Sequence, residues 1–109
     1  MLVVDDDALV LAGTSALLAD LGCQHVRSDS ARAALQSLEE SDFDLMITDF
    51  AMPDMDGMLL IQQVRQAYPA LTCALTTGYA GRLDTLADSV LRLPKPFDRE
   101  LLLRVKNSE

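Results

Sequence analysis

Short apolar runs alternate with longer amphipathic stretches along the whole chain. Five runs have the length and composition of buried strands, and they span residues 1–4, 24–28, 45–48, 71–76 and 90–93. The second run is the weakest of the five. The longer stretches have helical spacing, and we predict helices over residues 8–21, 31–40, 57–67 and from Asp98 onward, with a short one around residues 84–88.

Each predicted helix has apolar residues at positions that would face a core. In the first helix the inward stripe is predicted to hold Val10, Leu17 and Leu21, with Gly22 as the stop. The second helix follows Ser30, a typical N-cap residue. In the later helices we expect the inward residues to be Ala31, Ala34, Leu35, Leu38, Leu60, Ile61, Val64, Leu101, Leu102 and Val105.

Strand and helix alternate five times, a pattern typical of a parallel sheet covered by helices on both faces. We therefore predict one doubly wound α/β domain over residues 1–109, a length that suits a single domain. Right-handed crossovers and the strand order 2-1-3-4-5 would set the carboxyl ends of strands one and three side by side. Open α/β sheets bind ligands at this switch point.

Acidic residues stand at both of these strand ends. Asp5 and Asp6 follow the first strand directly, and Asp49 follows the third. Crowded carboxylates repel one another unless a cation intervenes, and a set of oxygen ligands suits Mg²⁺. We predict Asp6 and Asp49 as direct ligands, Asp5 as a ligand through water, and the backbone carbonyl of Ala51 as a further ligand. Taken alone, the triplet at residues 5–7 also fits a charge cluster at a helix N-terminus.

A carboxylate beside a metal can also be a covalent nucleophile, as in enzymes that form an aspartyl phosphate. Asp49 has that position in the predicted fold. Lys95, after the fifth strand, would bring a positive charge to a phosphoryl oxygen. Thr77, at the end of the fourth strand, would offer a hydroxyl to another phosphoryl oxygen.

The acidic composition narrows the classes of partner. A formal net charge of -8 argues against nucleic acid as a direct partner and favours a divalent cation or a basic protein patch. Cys23 and Cys73 stand apart, so neither a zinc site nor a disulfide framework is expected. Since no signal peptide or long apolar span occurs, we expect a cytoplasmic chain without membrane insertion. Met1 runs directly into a strand, which suggests a domain cut from a longer chain.

Five short motifs occur in the order and spacing of a known signalling family. They are Val3-Val4-Asp5-Asp6-Asp7, Ile47-Thr48-Asp49, Met52-Pro53-Asp54-Met55-Asp56-Gly57, Thr77-Gly78 and Lys95-Pro96-Phe97. Asp49 follows Asp6 by 43 residues and precedes Thr77 by 28. The motifs cover essentially the whole chain, which resembles the receiver domain of the response regulators of two-component systems.

This resemblance implies a flavodoxin-like (βα)5 fold and a role in a phosphorelay. It makes Asp49 the phosphoacceptor, and Asp5 and Asp6 the acidic pair that binds Mg²⁺. Thr77 would be the switch hydroxyl and Lys95 the invariant lysine of the family. The donor would be a phosphohistidine on a histidine kinase or a histidine phosphotransfer domain. The chain itself would catalyse at most its own phosphotransfer and autodephosphorylation, and a homodimer stays open.

Two alternatives to a stand-alone phosphoacceptor also stay open. Residues 8–22 look like receivers that are fused behind hybrid sensor histidine kinases, so the chain fits a segment of such a kinase. A phosphorylation-independent docking domain would keep the same fold and ignore the phosphodonor.

Two features depart from the family pattern. Arg92 stands three residues before Lys95, where the family usually has an aromatic residue. Because a guanidinium is always charged and costly to bury unpaired, we expect it to stay at the surface. The span from Thr77 to Lys95 is short, at 18 residues, which predicts a shortened fourth helix. We therefore expect the switch loop, which begins at Gly78 and Tyr79, to move on phosphorylation while strand five stays nearly still.

Overall fold

The computed structural model describes residues 1–77, 91–94 and 99–107. Its strands are β1 (Leu2–Val4), β2 (Val26–Ser28), β3 (Leu45–Asp49), β4 (Thr72–Thr77) and β5 (Leu91–Pro94). Its described helices are α1 (Ala8–Asp20), α2 (Ala31–Glu40), α3 (Gly57–Ala67) and α4 (Arg99–Asn107). These elements confirm the five predicted strands and the four longer helices. The short helix predicted around residues 84–88, and with it the shortened fourth helix, lies outside the described residues.

The strands form one parallel sheet in the order β2-β1-β3-β4-β5, which confirms the predicted doubly wound topology. β3 lies between β1 and β4, and all five of its residues are buried. The register pairs Val4 with Thr48 and Asp49 with Thr76. Since neighbouring strands are parallel, their carboxyl ends lie along the same edge of the sheet.

Two hydrophobic clusters cover the two faces of the sheet. The first packs α2 and α3 against β1, β3 and β4, and the second includes residues from α1 and α4. Side chains alternate between the faces along β3, so that Met46 belongs to the first cluster and Leu45 and Ile47 belong to the second. Burial confirms the inward positions predicted for α2 and α3, except that Leu35 is only partly buried. In α4, the predicted inward residue Leu102 is fully buried.

The inward face predicted for α1 is only partly correct, since Leu17 and Leu21 pack against the second cluster but other residues are buried more deeply. Its buried residues are Leu11, Thr14, Ser15 and Leu18, whereas the predicted stripe, Val10, Leu17 and Leu21, is only partly buried. Before Asp20 this helix has no charged residue, so its apolar positions give the periodicity no clear direction. Leu9 is left 86% exposed. Within the described part of the chain, no helix has the length and apolar character needed to cross a membrane.

The first residue of α3 packs closely against the last residue of β3. Asp56 is the N-cap, and its Oδ1 accepts a hydrogen bond of 2.9 Å from the Leu59 N–H. The Gly57 N–H donates to the Phe50 carbonyl oxygen at 2.7 Å. A Cβ added at Gly57 would overlap the carbonyl oxygen of Asp49 and lie 2.7 Å from Leu75 Cδ1. The close approach of α3 to β3 therefore requires glycine at this position.

The two cysteines have different environments. Cys73 lies in β4 at 1% exposure, and its Sγ is 3.8 Å from the Leu71 carbonyl oxygen. Burial raises the pKa of the Cys73 thiol, and the nearby Arg65 guanidinium opposes this shift in part. Cys23 is half-buried just beyond α1.

Replacing Gly57 by Ala should lower the free energy of unfolding by about 1–3 kcal/mol, because the added methyl group overpacks the contact with Asp49 and Leu75. Gly13→Ala is the matched control, since a Cβ there meets nothing within 4 Å. In an exposed part of α1, this change should raise stability by about 0.5–1 kcal/mol. Urea unfolding measures both variants, and equal stabilisation of the two would contradict the close approach.

A maleimide should label Cys23 in the native protein at neutral pH and leave Cys73 unmodified. The raised pKa of Cys73 lowers the fraction of reactive thiolate at neutral pH, and its burial keeps the reagent from the sulfur. Intact-mass measurement should give one adduct for the folded protein and two after denaturation in urea. Two adducts on the native protein at the same rate would contradict this arrangement of the core.

Candidate functional site

Three acidic side chains meet at the carboxyl edge of the sheet. Val4 of β1 pairs with Thr48 of β3, so Asp5 and Asp49 are the next residues along two adjacent strands. One carboxylate oxygen each from Asp5, Asp6 and Asp49 lies within 4.8 Å of the others. We call these three residues the acidic cluster. Their convergence is what the strand order predicted.

The acidic cluster is only partly open to solvent. Asp5 is 4% exposed and Asp49 is 7% exposed, whereas Asp6 is exposed. Two oxygens bound to one Mg²⁺ stand at most about 4.2 Å apart, given metal–oxygen distances of about 2.1 Å. Spacings of up to 4.8 Å therefore need a small closing movement or a bridging water. The donor set, which is oxygen only and rich in negative charge, fits a small hard cation.

The backbone orients Asp5, while its neighbour Asp7 has a different role. The Asp5 N–H donates to the Ser28 carbonyl oxygen of β2 at 3.1 Å, and Asp5 Oδ1 accepts from the Asp7 N–H at 2.9 Å. Asp7 is the N-cap of α1, where its Oδ1 accepts from the N–H groups of Leu9 and Val10. The helix-cap interpretation of the acidic triplet thus applies to Asp7, and Asp5 and Asp6 face the site.

Asp49 is held at the end of β3 by its neighbours. The Thr48 hydroxyl donates to the Asp49 carbonyl oxygen at 3.1 Å. The buried Thr76 of β4 directs its hydroxyl at Asp49 Oδ1 from 3.5 Å, which is long for a hydrogen bond between oxygens. The Phe50 N–H donates to the Thr76 carbonyl oxygen at 2.9 Å, so β3 and β4 stay paired just past the carboxylate.

Thr76 is a site residue that the sequence reasoning missed. The prediction named Thr77, the last residue of β4, whose side chain is not among those described. Asp49 pairs with Thr76 across β3 and β4, which brings the Thr76 hydroxyl near Asp49. That register is not visible in the sequence, where two threonines stand side by side.

The structure describes the other predicted site residues to different extents. Ala51 lies exposed in the loop after β3, two residues beyond Asp49. Arg92 lies in β5, where its backbone pairs with Leu75, and its side chain is not described. The remaining predicted residues, Gly78, Tyr79 and Lys95, lie outside the described part of the chain.

Comparison of the sequence with known families gives one match over nearly the whole chain. The response regulator receiver domain family matches residues 1–106. The response regulator protein FleR of Pseudomonas aeruginosa is 40% identical over 108 residues, covering 94% of this chain and 22% of FleR. The sensor protein TorS of Escherichia coli is 34% identical over 110 residues, covering 94% of this chain and 12% of TorS. The chain therefore spans about a fifth or less of these relatives.

Solved structures of similar fold include a response regulator protein and a receiver domain. The response regulator TrrA of Thermotoga maritima, in complex with Mg(2+)-BeF, is 25% identical with a TM-score of 0.88, and the match covers 97% of this chain and 95% of TrrA. The beryllofluoride-activated NtrC4 receiver domain dimer is 28% identical with a TM-score of 0.87, covering 98% and 93% of the two chains. With its sheet order, its acidic cluster and the family match over residues 1–106, the chain belongs to the response regulator receiver domains.

Proposed function

We propose that the chain is the phosphoacceptor of a two-component phosphorelay. In this proposal Asp49 takes a phosphoryl group from a phosphohistidine on a histidine kinase or a histidine phosphotransfer domain, in a reaction that requires Mg²⁺. The observation that carries the proposal is the placement of Asp49. Its carboxylate ends the central strand at 7% exposure, within 4.8 Å of carboxylate oxygens of Asp5 and Asp6.

The acidic cluster is the proposed Mg²⁺ site, and the Ala51 carbonyl is the proposed backbone ligand. Bound there, the cation would offset the charge of the phosphoryl oxygens. The oxygen-only donor set of the cluster supports this assignment. The TrrA structure supports it by analogy, because that receiver is in complex with Mg(2+)-BeF.

The proposed transfer has a simple bond balance. A carboxylate oxygen of Asp49 attacks the phosphorus atom, an O–P bond forms, and the donor's N–P bond breaks with its electron pair returning to the imidazole nitrogen. Lys95 and Thr77 are proposed to contact the phosphoryl oxygens. The low exposure of Asp49 limits access of water to the resulting acyl phosphate. The chain needs no catalytic activity beyond this transfer and its own dephosphorylation.

The transferred group is proposed to switch a partner or a fused domain. Receivers with an output domain and receivers within a sensor kinase both fit, because FleR and TorS each extend well beyond the matched region. A homodimer is one form of output, as the dimer of the activated NtrC4 receiver illustrates. We propose that the switch loop at Gly78 and Tyr79 responds to phosphorylation while Arg92 stays at the surface. The proposed site of action is the cytoplasm.

Asp6→Asn should weaken Mg²⁺ binding at least about tenfold, because it removes an anionic ligand from the acidic cluster. Asp6 is exposed, so the change should leave the fold intact. Asp7→Asn is the matched control: it removes the same charge one residue away, at a side chain that caps α1, and Asn is also a good N-cap. Isothermal titration compares the three proteins, and equal affinity in wild type and Asp6→Asn would remove Asp6 from the site.

Acetyl phosphate with Mg²⁺ should add one phosphate to the wild-type chain and none to Asp49→Asn, because the amide is a far weaker nucleophile. Intact mass followed by peptide mapping gives the number and place of the adducts. Wild type without Mg²⁺ is the control for metal dependence. Labelling that persists at Asp54 or Asp56 in Asp49→Asn would contradict Asp49 as the acceptor. If the folded wild-type chain gains no phosphoryl group, this result would instead favour a phosphorylation-independent docking domain.

A further inference from the structure

Asp54 makes a contact that the proposed phosphotransfer does not explain. It lies in the loop between β3 and α3, and its carboxylate reaches the first turn of α2, 22 and 23 residues away in the sequence. Asp54 Oδ1 accepts from the Ala31 N–H at 3.4 Å, and Asp54 Oδ2 accepts from the Arg32 N–H at 3.1 Å. Both carboxylate oxygens thus accept hydrogen bonds from adjacent backbone amides.

These two amides have no acceptor within their own helix, as is general for the first turn of a helix. The local N-cap, Ser30, accepts from the Ala33 N–H through its hydroxyl at 3.1 Å and from the Ala34 N–H through its carbonyl oxygen at 3.1 Å. Ser30 therefore accepts hydrogen bonds from the N–H groups of the third and fourth helical residues, and Asp54 accepts from those of the first and second. The negative charge of Asp54 also lies at the positive end of the α2 dipole.

The loop that carries Asp54 also carries Ala51. At its two ends the loop is closed by hydrogen bonds, from the Phe50 N–H to Thr76 and from the Gly57 N–H back to Phe50. Between these ends Met52 is buried at 8% exposure, whereas Ala51 and Asp54 are exposed. The Asp54 carboxylate joins this loop to the first turn of α2 by two hydrogen bonds.

We propose that Asp54 is a positioning residue for the metal site: its clamp on α2 fixes the loop and so the Ala51 backbone carbonyl beside Asp49. A two-point clamp restricts rotation of the loop as well as its distance from α2, because both carboxylate oxygens are engaged. The inference rests on the proposed function, in which Ala51 supplies a ligand to Mg²⁺.

A simpler explanation is that Asp54 only stabilises α2, and Ser30→Ala is the control for it. That variant removes a cap from the same helix end, yet it leaves the loop contact in place. Asp54→Ala removes the clamp, and Asp54→Asn removes its charge while keeping one acceptor oxygen. The three variants thus separate loop positioning, helix stability and charge.

Amide hydrogen exchange of the metal-free protein tests the clamp itself. Asp54→Ala should speed exchange at Arg32 and also at the hydrogen-bonded Gly57 amide that closes the loop, whereas Ser30→Ala should speed exchange in the first turn of α2 alone. Equal rates of exchange of the loop-closing Gly57 amide in Asp54→Ala and Ser30→Ala would overturn the clamp. This readout is independent of Mg²⁺ and of phosphorylation.

Mg²⁺ titration then tests the positioning role. Asp54→Ala should weaken binding about three- to tenfold, which is the scale of one or two net hydrogen bonds. Asp54→Asn keeps one of the two acceptors and should lose less affinity than Asp54→Ala, whereas Ser30→Ala should stay within about twofold of wild type. Equal losses in Asp54→Ala and Asp54→Asn would mean that charge alone acts, and equal losses in Asp54→Ala and Ser30→Ala would mean that helix stability alone acts. Failure of wild type to bind Mg²⁺ would overturn the proposed function, with the exchange pattern still reporting the clamp.

Discussion

The parallel pairing of β1 with β3 is the constraint on which the rest of the structure depends. Its register sets Asp5 and Asp49 side by side, although like charges at this distance repel one another. Burial of β3 on both faces holds the pairing against that repulsion. A cation that binds only the folded chain would relieve the repulsion and raise stability by mass action. In the proposed function, fold stability and Mg²⁺ affinity are therefore linked through the same two strands.

The sheet and the acidic cluster were predictable because their signals are local and strong. Each buried strand is a short apolar run, and the first and third runs are each followed directly by an acidic residue of the cluster. One topological rule then brings these ends together. The inward face of α1 was predictable only in part, because the helix is apolar nearly all round and packing alone buries Leu11 and Leu18 more deeply than Val10 and Leu17.

Contacts that depend on register or on distant loops could not be read from the sequence. The approach of the Thr76 hydroxyl to Asp49 follows from the pairing of β3 with β4, and an adjacent threonine gives the same local signal. The contact between Asp54 and α2 joins residues more than twenty positions apart. Capping rules identify Ser30 from its neighbours along the chain, but they say nothing about a cap supplied by another loop.

Six aspartates near the carboxyl edge of the sheet fall into two groups of three. Asp7, Asp54 and Asp56 each accept hydrogen bonds from the first turn of a helix, at the N-termini of α1, α2 and α3 respectively. Positive ends of helix dipoles thus offset these three charges. The acidic cluster lies among these helix ends, and its three carboxylates converge on one another. Acidity alone would not distinguish the groups, but the geometry does: helix ends engage Asp7, Asp54 and Asp56, whereas the carboxylates of the acidic cluster lie within 4.8 Å of one another. In the proposed function, the Mg²⁺ site consists of the aspartates that the helix N-termini leave to face one another.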